Sequence, residues 1–146
     1  MAYSDRELLA RLIKCEAGGE GEVGMRGVAT VVMNRVNASG GEYLRLGQGD
    51  IQKVIMQRGQ FNCAVTTLRG APNYQNIHNM LPEEIHYTIA DWAIAGGRLS
   101  EAGDCLWFYN PYGPNCGFNF PNDSGVFHTR VNQHCFFRPT TAYHGT

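Results

Sequence analysis

SDRELLARLIKCEAGGEGE, residues 4–22, decides what the first half of this 146-residue chain becomes. Ser4 and Glu7 have capping-box spacing: the hydroxyl serves an orphan amide while the carboxylate reaches back. Leu8, Leu9, Leu12 and Ile13 then recur at helical intervals, and Gly18-Gly19 offers a left-handed stop. Glu16 breaks the pattern. It follows Leu9, Leu12 and Ile13 by seven, four and three residues, so its side chain points with the apolar stripe toward the interior. Burial disfavours an ionised carboxyl and moves its pKa toward the range of a general acid at neutral pH. The plainer alternatives are that Glu16 snorkels to solvent or pairs with Arg11 or Arg26. Glu20 and Glu22 follow in the glycine-rich turn, where acids favour the start of the next helix.

Outward from this stretch, Gly21–Val36 reads as a second helix, apolar around most of its circumference and so central to the fold. Residues 38–49 read as a glycine-rich loop, and Asp50 caps a short helix carrying Ile51, Val54 and Ile55. Residues 59–79 have no period and read as a long ordered loop. Pro82, Glu83 and Glu84 open a further helix, with Ile85, Ile89, Trp92 and Ala93 inward and Gly96-Gly97 ending it. The character then changes: ten of the sixteen aromatic residues lie beyond Cys105. Leu106–Tyr109 reads as a strand, and residues 126–131 and 134–138 as a hairpin around Asn132-Gln133. The expected fold is α+β in a single domain over residues 1–146: helices first, then a small antiparallel aromatic-rich sheet.

Composition narrows the function classes. Charged residues make up 17%, against ~25% in an average domain. The net charge of −1 gives no basic footprint for nucleic acid. No apolar run approaches the ~20 residues of a membrane span. The opening MAYSDRELLA lacks an apolar signal region, which predicts synthesis in the cytosol. A chain of this size buries ~70% of its unfolded surface and needs no disulfide or metal as a staple. The five cysteines and five histidines show no CxxC, HxxxH or HExxH spacing, so no metal site is predicted. Cys15 reads as a buried thiol on its helix.

The ordered set of Glu16–Glu22, Gly24-Met25, Asn34-Arg35-Val36, Gly59-Gln60-Phe61, Leu106–Pro111 and His134–Phe137 resembles the spore cortex-lytic cell-wall hydrolase family (SleB/CwlJ). The Leu-Trp-Phe-Tyr strand, Cys116 and the His-Cys-Phe ending bring it closer to the CwlJ branch. That resemblance implies a lysozyme-like, lytic-transglycosylase-like helical domain with one essential glutamate, a role that carries over onto Glu16. It implies cleavage of spore cortex peptidoglycan at the muramic acid–glucosamine linkage during germination. It also implies placement at the coat–cortex boundary from the mother cell, with spore-coat proteins as possible partners. No cofactor is required on this reading, with calcium a possible activator. An ordinary glycosidase needs two carboxyl groups, and Glu20 is the near candidate for a secondary acid. A muramic acid unit can instead use its own C6 hydroxyl, giving a 1,6-anhydro product through Glu16 alone.

Gln60, Phe61, Trp107, Tyr109, Asn110 and His134 are the expected glycan-binding residues. Aromatic faces pack on sugar rings, and amides bond hydroxyl and acyl groups. Core packing is the competing reading for Phe61 and Trp107, and turn chemistry for Asn110. Asn34-Arg35 reads as structural support for the loop that follows. Two rivals come from other classes. One is a cell-wall cysteine amidase or peptidase with Cys15 or Cys135 as nucleophile and His128 or His134 as base. The other is a non-catalytic coat module that binds glycan. Deposition in a coat also offers Cys105, Cys116 and Cys135 a route to oxidation.

Overall fold

A computed structural model describes residues 2–146. Helix α1 spans Asp5–Ala17 and begins as its sequence dictates, with the Ser4 hydroxyl accepting the Glu7 N–H at 3.1 Å. The return limb of the expected capping box is absent, because the Glu7 carboxylate turns to Arg11 at 2.8 Å. Leu8, Leu9, Leu12 and Ile13 are fully buried. The chain remains right-handed at Gly18, and the left-handed residue is Gly21, which opens α2.

Helix α2, Gly21–Val36, is the central element: α1, the later helix over Glu84–Ile94 and the shorter helices pack around it, and eleven of its sixteen residues are buried. Gly27 lets the sheet approach, since a Cβ there would stand 2.7 Å from the Phe136 ring. Residues 38–49 are not a plain loop. Helix α3, Gly41–Gly47, forms there because Tyr43 is buried and its N–H donates to the Tyr143 hydroxyl at 3.0 Å. Gly41 sits at φ +73°, where any Cβ would strike the Tyr143 ring. A contact across a hundred residues thus turns a loop-like stretch into a helix.

Helix α4, Ile51–Met56, is capped by Asp50 as predicted. The following segment is irregular but ordered, with a two-residue antiparallel ladder, β1 (Thr67–Leu68) and β2 (Ala71–Pro72). Helix α5 runs Glu84–Ile94. Pro82 stands just outside it: Glu83 is the cap, and its N–H donates to His86 Nδ1 at 2.9 Å in a reciprocal capping box.

The sheet contains β3 (Trp107–Tyr109), β4 (Gly125–Val131) and β5 (His134–Pro139) in the order β3-β5-β4, all antiparallel. Trp107 faces Phe137 and Tyr109 faces Cys135 across the ladder. Four cysteines pair, Cys15 with Cys63 and Cys116 with Cys135. Cys15 is therefore not the free buried thiol its helix suggested. Cys105 alone is free, buried beside Val31, Ala102 and Phe136. No helix among the described residues is long and apolar enough to cross a membrane.

Candidate active site

The helical half and the sheet meet at a cleft of about 460 Å³, lined by Glu16, Glu20, Arg35, Gln60, Tyr109 and His134 among others. Glu16 lies half-buried in the last turn of α1. Burial pushes its carboxyl up to about 7, while the Cys63 backbone amide and the Arg35 charge pull the other way. Neither expected neutralising partner is available. Arg11 bonds Glu7, and Arg26 bonds Glu22 at 3.2 Å. A carboxyl that holds its proton near neutrality, opens to a cleft and is partly desolvated has the properties of a general acid.

Glu20 shares the cleft but is already engaged. Its Oε1 accepts the Gln133 N–H at 2.8 Å, and its main-chain carbonyl accepts Asn132 Nδ2 at 2.6 Å. The same Oε1 lies 3.3 Å from His134 Nδ1, too far off line for a hydrogen bond. Glu20 thereby ties the α1–α2 turn to the β4–β5 turn. His134 is buried, and burial lowers its pKa despite the neighbouring carboxylate.

Of the remaining predicted residues, Gln60, Phe61, Tyr109 and Asn110 line the cleft. Phe61 is mostly core, packed toward Phe108. Asn110 Oδ1 accepts the Tyr112 N–H at 2.7 Å, the local turn its sequence suggested. Trp107 is elsewhere. It lines an adjoining chamber of about 410 Å³ with Phe118, Phe120 and Tyr143, and that chamber shares Arg35, Gln60, Phe108 and Tyr109 with the Glu16 cleft. Tyr112, 89% exposed at the cleft mouth, had no signal in the sequence beyond its aromatic type.

Arg35 is the residue that sequence reasoning missed. Asn34 supports not the loop that follows it but the chain leading to β3, donating to the Gly103 and Cys105 carbonyls. Arg35 instead reaches the wall between the two chambers, 4% exposed, with Nε donating to the Leu106 carbonyl at 2.7 Å. It stacks over Tyr43 and Phe61, and no carboxylate lies within ion-pair distance among the described residues.

The cysteine-nucleophile alternative fails on this geometry. Cys15 and Cys135 are both in disulfides and present no thiolate. Cys105 is buried outside the cleft, its thiol pushed up to about 12. His128 is exposed on β4.

Comparison with known proteins supplies the family. A family model described as Cell Wall Hydrolase matches residues 19–137, beginning just past Glu16. Cell wall hydrolase CwlJ of Bacillus subtilis (strain 168) is 31% identical over 137 residues, covering 94% of this chain and 87% of that protein. Cell wall hydrolase CwlJ of Halalkalibacterium halodurans is 33% identical over 141 residues, with the same coverage. Among solved structures, the catalytic domain of the germination-specific lytic transglycosylase SleB from Bacillus anthracis superposes with TM-score 0.64 at 22% identity, over 92% of this chain and 96% of that one. The catalytic domain of the Bacillus cereus SleB protein gives 0.56 at 20% identity, over 92% and 91%. At these identities the solved structures bear on the fold alone, and they share the mixed architecture of helices with a small antiparallel sheet. With the matched model spanning most of the chain and curated relatives above 30% identity, the chain belongs to the cell wall hydrolase family.

Proposed function

We propose that this protein cleaves the glycan strands of spore cortex peptidoglycan during germination, at the muramic acid–glucosamine linkage, with Glu16 as the sole acid–base residue. The observation that carries this reading is a carboxyl held near 7 in an open cleft, with the other carboxylate that lines that cleft, Glu20, bonded to a backbone amide. Glu16 donates its proton to the glycosidic oxygen as the C1–O bond breaks. The Glu16 carboxylate then takes the proton from the C6 hydroxyl as O6 closes on C1. The products are a 1,6-anhydromuramyl end and a free hydroxyl on the departing sugar. No water is consumed, and Glu16 ends protonated, ready for the next turn.

A paired-carboxylate mechanism needs a second acid free to act as nucleophile or to activate water. The engagement of Glu20 supports the single-glutamate route. The two disulfides suit a protein that works in the spore coat and cortex rather than in a reducing cytosol. Purified protein added to decoated spores is expected to lower their turbidity, and Glu16→Gln protein to leave it unchanged. Binding without lysis by the wild type would overturn the enzymatic reading.

A further inference from the structure

Resting on that proposed function, we infer that Gln60 is the specificity-determining donor of the site. Its carboxamide Nε2, fixed in one orientation by Arg35 and Tyr43, receives the acyl carbonyl of an N-acylated sugar seated where the Glu16 cleft meets the aromatic chamber.

The orientation follows from donor chemistry. Arg35 Nη1 lies 3.2 Å from the Gln60 carboxamide, and a guanidinium has donors but no acceptor. The Gln60 atom that faces it is therefore oxygen. The Tyr43 hydroxyl donates to the same Oε1 at 2.7 Å. Both donors are buried, and neither is free to turn: Arg35 is bonded to the Leu106 carbonyl, and Tyr43 is packed against the C-terminal Tyr143. With its oxygen occupied from the protein side, Gln60 presents Nε2, which has no protein partner among the described residues.

The surroundings identify the ligand class. Gln60 and Tyr109 line both chambers, and Trp107 and Phe118 continue the wall on the aromatic side. Aromatic faces beside a donor of fixed orientation suit a sugar ring whose acyl group brings both a methyl and a carbonyl. A sugar with a free amine fails twice. It brings an ammonium toward the buried Arg35 charge, and it leaves the Nε2 donor unpaired. Arg35 and Tyr43 are positioning residues in this scheme, acting through Gln60.

The test is calorimetric titration of the wild type and Gln60→Glu with chitotetraose and with its de-N-acetylated form. A glutamate at 60 still accepts from Arg35 and Tyr43, so the fold is retained, but it no longer donates. The wild type is expected to prefer the acetylated tetramer, and Gln60→Glu to lose that preference by ~10- to 100-fold. Tyr43→Phe, which leaves Arg35 as the sole anchor of Oε1, is expected to show a smaller loss in the same ratio, and it decides the matter if Gln60→Glu does not fold. An unchanged ratio in the folded variants overturns the inference. Because the readout is binding, it stands apart from cleavage. Loss of the preference in a protein that lyses no cortex would overturn the proposed function and leave the Gln60 assignment intact.

Discussion

Cys15, the residue immediately before Glu16, is bonded to Cys63, whose backbone amide faces the Glu16 carboxyl. The bond joins the helix that carries the acid to the segment that carries Gln60 and Phe61. The second disulfide does the same on the other wall, joining the loop after Asn110 to β5, which begins at His134. Both crosslinks thus border the cleft, the first from within the helical core and the second from the sheet, so a chain large enough to do without a staple carries two at the walls of its site.

Reduction is expected to cost stability. Closing loops of 48 and 19 residues restricts the unfolded chain by about 4 and about 3 kcal/mol respectively. Urea unfolding of Cys63→Ser and Cys116→Ser should show losses in that order. Cleavage should fall in both at temperatures where they remain folded. A Cys63→Ser protein with unchanged urea midpoint would contradict the crosslink's role.

Glu16 is expected to weaken the fold at the pH where it works. Its carboxyl binds a proton more tightly in the folded protein, at about 7, than at its ordinary 4.5. Stability is therefore undiminished below pH 4.5 and falls as pH rises from 4.5 through 7, by about 3 kcal/mol in all. Glu16→Gln, uncharged throughout, should gain on the wild type by about that amount between pH 4 and pH 8. Thermal unfolding at both pH values measures it, and a gain independent of pH would contradict the raised pKa.

The same proton sets the rate profile. The acid step needs Glu16 protonated, so kcat/KM on soluble glycan should fall about tenfold per pH unit above about 7. Tyr43, His134 and Arg35 face the same region. His134 titrates below its ordinary value and Tyr43 above its own, leaving the limb near 7 to Glu16. A flat profile from pH 6 to 9 would contradict the assignment.

Glu20 and Glu16 should separate cleanly on conversion to the amide. Glu20→Gln keeps an oxygen for the Gln133 N–H and is expected to retain activity within about tenfold. Glu20→Ala removes the side-chain half of its tie to the β4–β5 turn, leaving the main-chain bond to Asn132, and should lose ~1–3 kcal/mol of stability. Activity abolished in Glu20→Gln at full stability would make Glu20 a second catalytic acid.

Much of this arrangement is legible in the sequence because it is local. Ser4, the Leu8–Ile13 stripe and Asp50 act within a turn of their own helices, and the period that buries Leu12 also aims Glu16. Helix α3 is illegible because Gly40-Gly41 signals a loop, and only the distant ring of Tyr143 shows why a helix follows. Arg35 is misread for a similar reason. On an apolar helix it looks like a stray support residue, and its role depends on Gln60 and Tyr43, which sequence spacing does not bring together. Trp107 is legible as an aromatic wall residue, but its assignment to the second chamber depends on which face of β3 meets the C-terminal turn. The cysteine pairing depends likewise on tertiary contacts: in sequence Cys15 reads as a buried thiol and Cys105, Cys116 and Cys135 as open to oxidation, whereas Cys15 pairs with Cys63, Cys116 with Cys135, and Cys105 stays free.

The most direct test of the single-glutamate account is mass spectrometry of the fragments released from purified cortex by wild-type and Glu16→Gln protein. The account predicts muropeptides lighter by one water than their hydrolysed counterparts, each ending in a 1,6-anhydro ring, and no fragments from the variant. Reducing-end fragments of full mass from the wild type would contradict the intramolecular route, and release of any fragments at the wild-type rate by Glu16→Gln would contradict the account itself.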